Sequence, residues 1–375
     1  MMPNSDHDIS YGSRSRDEIL SQDPYSQTDV QKCESILPII KEQLIKARQN
    51  NQHIDVFFTK QRVDIDALKD LEDVPYIPVQ MFKQFDLRTC PEQEIAKVLQ
   101  SSGTTGSTPS RIPLDKPTTL NQIKALKSIL SNYLGKTRKI FLVIDHEGIN
   151  SPALAFSART AGVRGLSIYA KKIFYLLKEE DGKLVLNLPV IHNIIANYSQ
   201  EEVYAFGFTY IIWTTFFEQI QKEDIQFSFK GFTLFHSGGW KKMQDLAVSK
   251  KQFSESIATI FCAQTKAILD FYGMAEQTGI IFVDCEEGNK HVPGFSQVII
   301  RDLFTLKPCS MGKAGFIEVM SILADSYYDQ ALLTEDLGVL VGVDDCPCGR
   351  KGRYFQFVSR VEKAEIRGCG DTFRE

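Results

Sequence analysis

The chain has 375 residues, 43% of them hydrophobic and 24% charged, with a formal net charge of -4. This composition supports one large core or two smaller ones, and it excludes wholesale disorder and the basic excess of a nucleic-acid binder. The polar start, Met1-Met2-Pro3-Asn4-Ser5-Asp6-His7, lacks the apolar stretch of a secretory signal. The longest uncharged apolar run, Val203 to Phe217, is shorter than the roughly 20 residues of a spanning helix. We therefore expect a cytoplasmic protein without a membrane span, whose eight cysteines serve as core, catalytic or metal-binding thiols rather than as disulfides.

Residues 1–28, rich in Ser, Asp and Gly, read as a mobile arm. Ile36, Ile39, Ile40, Leu44 and Ala47 recur at helical spacing and predict a helix over 29–50. Val74-Pro75-Tyr76-Ile77-Pro78 reads as extended, since residues before proline avoid the helical region. From residue 95 strands and helices alternate. Strands are expected at Ala96–Gln100, Lys139–Ile144, Gly165–Tyr169, Lys183–Leu188, Tyr204–Ile212, Phe232–His236, Ala267–Phe271 and Gly279–Asp284, and helices at 118–134, 190–200, 213–222 and 240–262. That order predicts an α/β fold with layered helices and a largely parallel sheet over 29–294. Gln297–Arg301, Phe316–Ser321, Gly338–Val343 and Tyr354–Val358 then predict a smaller β-rich subdomain over 295–375.

Four segments carry nucleotide chemistry. Leu99-Gln100 runs into Ser101-Ser102-Gly103-Thr104-Thr105-Gly106, where glycines admit backbone N–H groups to phosphate oxygens and hydroxyls add donors. No Gly-Lys-Ser/Thr follows, so this is not a P-loop. His236-Ser237-Gly238-Gly239 ends a strand; alone it reads as a turn, but at the edge of an open α/β sheet it lets a flat ring lie on backbone. In Tyr272-Gly273-Met274-Ala275-Glu276 the aromatic can stack on a base, and Glu276 can hold Mg2+ against phosphate. In Thr334-Glu335-Asp336-Leu337-Gly338, Asp336 can accept from ribose hydroxyls, or be an ordinary turn Asp. Separately, Cys285, His291, Cys346 and Cys348 form a candidate zinc set, although the Cys-Pro-Cys spacing is tighter than usual and the four can also be unrelated residues. The aromatic-dense Tyr204–Trp213 reads as a buried strand and helix start that can also border an acyl pocket.

The order Ser-Ser-Gly-Thr-Thr-Gly, Gly-Gly, Tyr-Gly-Met-Ala-Glu, Thr-Glu-Asp and Ser359-Arg360 through Ile366-Arg367-Gly368 resembles the adenylate-forming superfamily of acyl-CoA ligases and luciferases. Phe206-Gly207-Phe208-Thr209, His236-Ser237-Gly238-Gly239-Trp240-Lys241 and Arg367-Gly368-Cys369 bring it closer to the bacterial bioluminescence acyl-protein synthetase (LuxE) family. The resemblance implies ATP and Mg2+ as cofactors and a fatty acid as substrate. It implies formation of acyl-AMP, transfer of the acyl group to an own cysteine, Cys369, and delivery to a partner protein such as an acyl reductase; a homo-oligomer is open. It gives Arg360 a place at the ribose. The loop exit Ser107–Arg111 departs from the superfamily's usual Gly-x-Pro-Lys, and Arg111 is the candidate replacement cation. Typical ligases continue as a lid with a catalytic lysine, which we expect to be absent here, so that an internal thiol rather than CoA takes the acyl group. Two alternatives stay open: a lid-less ligase or transferase serving CoA, a carrier protein or an amino sugar, and a degenerate nucleotide-binding module.

Overall fold

The computed structural model describes residues 14–100, 109–150, 158–239 and 246–361. Two six-stranded sheets organise the molecule. In the first, the strands Ile268–Tyr272, Gly231–Ser237, Glu202–Phe208, Lys139–Val143 and Ala170–Tyr175 lie side by side in parallel, and Phe282–Val283 closes one edge antiparallel. Side-chain alternation divides the apolar residues of its inner strands between two cores. Phe141, Val143, Tyr204, Phe206, Phe235 and Leu269 face one core. Ile140, Leu142, Val203, Ala205, Leu234 and Ile268 face the other. Helix Lys116–Leu134 covers the first face. The helices Leu188–Asn197 and Lys250–Ile260 cover the second, together with the helical run Thr209–Lys222, whose middle turn Ile212–Phe217 is π-helical.

The second sheet orders the strands Lys290–His291, Arg353–Arg360, Ala331–Val343, Ala314–Ser321 and Ser296–Arg301 antiparallel, and Ile77–Pro78 joins Ala331–Val343 in parallel. Its apolar face continues the first core, in contact with Ile36, Ile40 and Leu44 of helix Asp29–Asn50. The β-rich region expected over 295–375 thus shares a core with the N-terminal helices. The helix forms over 29–50 as the periodicity predicts, entered by a capping box of Thr28 and Gln31.

Several expectations differ from the structure. The strand expected at Tyr204–Ile212 ends at Phe208 and gives way to helix at Thr209, and three more segments depart from expectation. Residues 14–28 do not form part of a mobile arm. Ser15 and Glu18 box the start of helix Arg16–Ser21, Ile19 and Leu20 are buried, and Arg16 pairs with Asp325 at 2.5 Å. Tyr25 O accepts from Lys351 N at 2.9 Å, and Pro24 O accepts from Gly294 N at 2.7 Å. Capping and long-range bonds, not periodicity, order this stretch. The strand expected at Gly165–Tyr169 is the end of helix Ala158–Leu166 and a 3-10 turn, and the strand follows at Ala170–Tyr175. Gly162 lies where a Cβ would stand 2.5 Å from the Phe206 ring, so close packing against the sheet, not chain reversal, accounts for that glycine. The strand expected at Gly279–Asp284 shrinks to Phe282–Val283.

Helix Asp29–Asn50 also buries Lys32, whose Nζ donates to Val292 O at 3.1 Å. Burial pushes this amine from its ordinary 10.5 down to about 8, against the opposing pull of Asp29. Between those values the unfolded chain holds the proton that the folded chain releases, so stability rises with pH across that window; below it the cost of the buried charge is full and no longer varies with pH. Lys32→Met is expected to stabilise the protein by about 1–3 kcal/mol near neutral pH. Denaturant melts should show that gain shrinking as the pH climbs past the folded value; a constant difference would contradict the assignment.

Candidate nucleotide and metal sites

The C-terminal ends of the parallel strands bring two of the sequence motifs side by side. Strand Gly231–Ser237 ends in Gly238-Gly239, and its neighbour Ile268–Tyr272 ends in Tyr272-Gly273. Gly238 has φ +86°, and a Cβ there would stand 2.7 Å from the Phe208 ring, so glycine is required. A Cβ on Gly239 would meet nothing within 4 Å, which leaves open space above the backbone. Glu276 follows in the turn Ala275–Gln277 and is buried.

Tyr272 reaches across to the second sheet. Its hydroxyl donates to Asp336 Oδ2 at 2.9 Å. Arg360 Nε donates to Asp336 Oδ1 at 2.8 Å, and its Nη2 donates to Oδ2 at 3.4 Å. Asp336 and Arg360 are direct cross-strand partners, and the pairing slips by one residue beside them, between Leu337 and Gly338. Such irregularities re-aim side chains next to functional sites. Thr334 accepts from Asp336 N at 3.2 Å and donates to Ile317 O at 2.7 Å, which locks the turn of the acid. Asp336 is 5% exposed, whereas the Arg360 side chain is 74% exposed. The hydrogen bond from Arg360 to Asp336 holds the guanidinium above its ordinary range, and burial raises the Tyr272 phenol well above its own.

A carboxylate offers about four acceptor positions. Three are engaged here, which leaves one acceptor position open and a second held only by the solvent-facing Arg360. Sequence reasoning gave Tyr272 a base-stacking role; the structure adds the orientation of Asp336. It also adds Phe357, which stacks on Tyr272 with centroids 5.8 Å apart. No motif marks Phe357; only its alternation within a strand could have pointed to it.

Ser101, Ser102, Gly103, Thr104, Thr105 and Gly106 lie outside the described residues, as does Cys369. The strands that flank the loop are described: Ile95–Gln100 and Arg111–Asp115 pair antiparallel, with Gln100 opposite Arg111. Arg111 is exposed at the base of the loop.

Cys285, His291, Cys346 and Cys348, separated by up to 63 positions in the chain, converge so that all four donor atoms lie within 4.8 Å of one another. Cys285 Sγ and Cys346 Sγ are 3.9 Å apart, and Cys348 Sγ is 3.2 Å from His291 Nε2. A tetrahedral site with metal–sulfur bonds of about 2.3 Å has sulfur–sulfur edges of about 3.8 Å. Burial pushes the Cys285 thiol up to about 12 and the His291 imidazole down to about 4. Neutral imidazole is the ligating form, and a divalent cation would supply the charge that buried thiolates need. The residues therefore fit a four-coordinate metal.

Comparison with known proteins accords with this geometry. The chain is similar to the long-chain-fatty-acid–luciferin-component ligase of Vibrio harveyi, at 25% identity over 316 residues, covering 81% of this chain and 78% of that protein. It is similar to the protein of the same description from Aliivibrio fischeri, at 23% identity, covering 85% and 80%. Among solved structures, an open conformation of 2-hydroxyisobutyryl-CoA ligase matches with a TM-score of 0.68 and 14% identity over 91% of this chain and 77% of the ligase. The same ligase in its thioesterification state gives a TM-score of 0.67 at 15% identity, covering 91% and 70%. This structural likeness shows the fold alone, the α/β fold that the ligase shares. The family model described as acyl-protein synthetase, LuxE, matches residues 1–375, and the chain belongs to that family.

Proposed function

We propose that the chain activates a fatty acid with ATP, holds the acyl group as a thioester on Cys369, and passes it to a partner protein. The observation that carries the reading is the Tyr272–Asp336–Arg360 constellation at the ends of the parallel strands, in a chain of the acyl-protein synthetase family. The two relatives named above are ligases of long-chain fatty acids. In the first step the fatty-acid carboxylate attacks the α-phosphorus of ATP and the bond to pyrophosphate breaks. In the second the Cys369 thiolate attacks the acyl carbon and AMP leaves.

Asp336 holds the ribose, Gly239 leaves room for a flat ring while Gly238 makes the turn against Phe208, and the 101–106 loop cradles phosphate. Glu276 offers a hard oxygen donor to Mg2+, which supplies charge neutralisation at the phosphates when bound. Arg111 is the nearest candidate in sequence for a cation at the loop exit. Among the described residues no helix is long and apolar enough to cross a membrane.

The test is incubation with labelled fatty acid, ATP and Mg2+, followed by a denaturing gel with and without hydroxylamine. A hydroxylamine-labile band on this protein is expected. Pyrophosphate exchange without a band, with label passing to CoA, would replace the reading by that of a CoA ligase. Absence of both would leave a nucleotide-binding module.

We also propose that Cys285, His291, Cys346 and Cys348 hold one structural zinc. Metal analysis is expected to find about one zinc per chain. Cys346→Ser should lose it and melt at lower temperature. Wild-type protein purified without chelators and carrying only a trace of zinc would dismiss the assignment.

A further inference from the structure

The two sheets meet along a seam that the nucleotide constellation spans. Asp284 N donates to Asp270 O at 2.9 Å, Asp284 bridges Lys290, and Lys290 pairs with Phe355. Backbone pairing therefore passes from strand Ile268–Tyr272 through Asp284 and Lys290 into strand Arg353–Arg360. Tyr272 lies on the first side of this seam, and Asp336 and Arg360 lie on the second.

A buried ionic cluster sits on the seam. Lys290 Nζ donates to Asp270 Oδ2 at 2.7 Å and to Asp284 Oδ1 at 3.1 Å, and all but 4% of its side chain is covered. The other oxygen of Asp284 pairs with Lys250 at 2.7 Å. Asp270 is two residues from Tyr272 on the same strand and lies opposite His236, two residues before Gly238. Two lysines balance two aspartates. Buried ionic clusters of this kind are weak contributors to net stability, and their best-attested use is to fix register. A cluster that holds Asp270 against Lys290 fixes the nucleotide strand against the strand that ends in Arg360.

We propose that Lys290 is a positioning residue for ATP: by bridging Asp270 and Asp284 across the seam, it sets the distance over which Tyr272 meets Asp336 and Arg360. Lys290 touches no substrate. The proposal rests on the reading of that constellation as the ATP site. Because the constellation grips the ribose alike in the ground state and the transition state, its misalignment weakens ATP binding and leaves the chemical step intact.

The test is ATP-dependent pyrophosphate exchange by the full chain with saturating fatty acid. Lys290→Met is expected to raise KM for ATP about fivefold or more, with kcat within about twofold. Lys290→Arg, which keeps the charge, should lie nearer wild type. Lys290→Met/Asp270→Asn removes one charge of each sign and leaves Asp284 with Lys250. It should show the same rise in KM, and it carries the test should the single variant fail to fold. A folded variant of either kind whose KM for ATP matches wild type overturns the proposal. An equal fall in kcat at unchanged KM overturns it as well, since that pattern marks a role other than alignment of the ribose grip. A wild-type protein that exchanges no pyrophosphate overturns the underlying reading of the site, and the proposal with it.

Discussion

Asp336→Ala is expected to raise KM for ATP by about a hundredfold in pyrophosphate exchange. Each hydrogen bond to a charged partner contributes about 1.5–3 kcal/mol, and about 1.4 kcal/mol is a factor of ten. One such bond to the ribose gives about a hundredfold at the upper end of that range, and two exceed it. The substitution also strands the Tyr272 hydroxyl, which is buried and loses its acceptor, while the Arg360 guanidinium turns into solvent. Asp336→Asn keeps the shape and one acceptor oxygen, and should fall between the two. Isothermal titration with a non-hydrolysable ATP analogue separates binding from turnover. Wild-type affinity in a folded Asp336→Ala protein would remove this acid from the nucleotide site.

Cys369→Ser is expected to abolish the hydroxylamine-labile acyl band while pyrophosphate exchange persists. A thiol has a pKa of about 8.5 and yields some thiolate near neutrality, whereas a serine hydroxyl yields essentially none without a general base. Arg367, two residues away in sequence, is the candidate charge to favour the thiolate. Transfer should fall at least about a hundredfold, because the intramolecular acceptor and its effective molarity are lost together. Label held by Cys369→Ser through a thioester would assign the acyl group to another cysteine. Loss of exchange as well as label would show that Cys369 serves the first step too.

The sheet strands at the centre of the fold were legible because both their faces are buried, and Lys139–Val143 and Glu202–Phe208 read as short apolar runs. The edge strand Ala170–Tyr175 was not, since it carries Lys171 and Lys172 toward solvent and follows a helix interrupted by Gly162 and Gly165. Tyr272 and Asp336 each stand in a motif that announces itself through a turn, and Arg360 was placed only by the family resemblance, so the three were found one by one. Their mutual bonds depend on strand register, which 64 positions of intervening chain between Tyr272 and Asp336 conceal. The four candidate metal-binding residues were recognisable because Cys and His are scarce and chemically distinctive. Lys290, Asp270 and Asp284 are common residue types at irregular spacing, and only the seam gives them a role.

That seam makes the proposed nucleotide site the joint property of two stretches of polypeptide. Glu286 and Glu287 form an exposed turn between them. A chain severed there would leave Tyr272, Glu276 and both glycine turns on one fragment, and Asp336 and Arg360 on the other. The metal ligands would be divided as well, Cys285 from the remaining three. Neither fragment would own a ribose grip, and only their reassociation would restore one. On the proposed reading, adenylation would then report the encounter of two polypeptides.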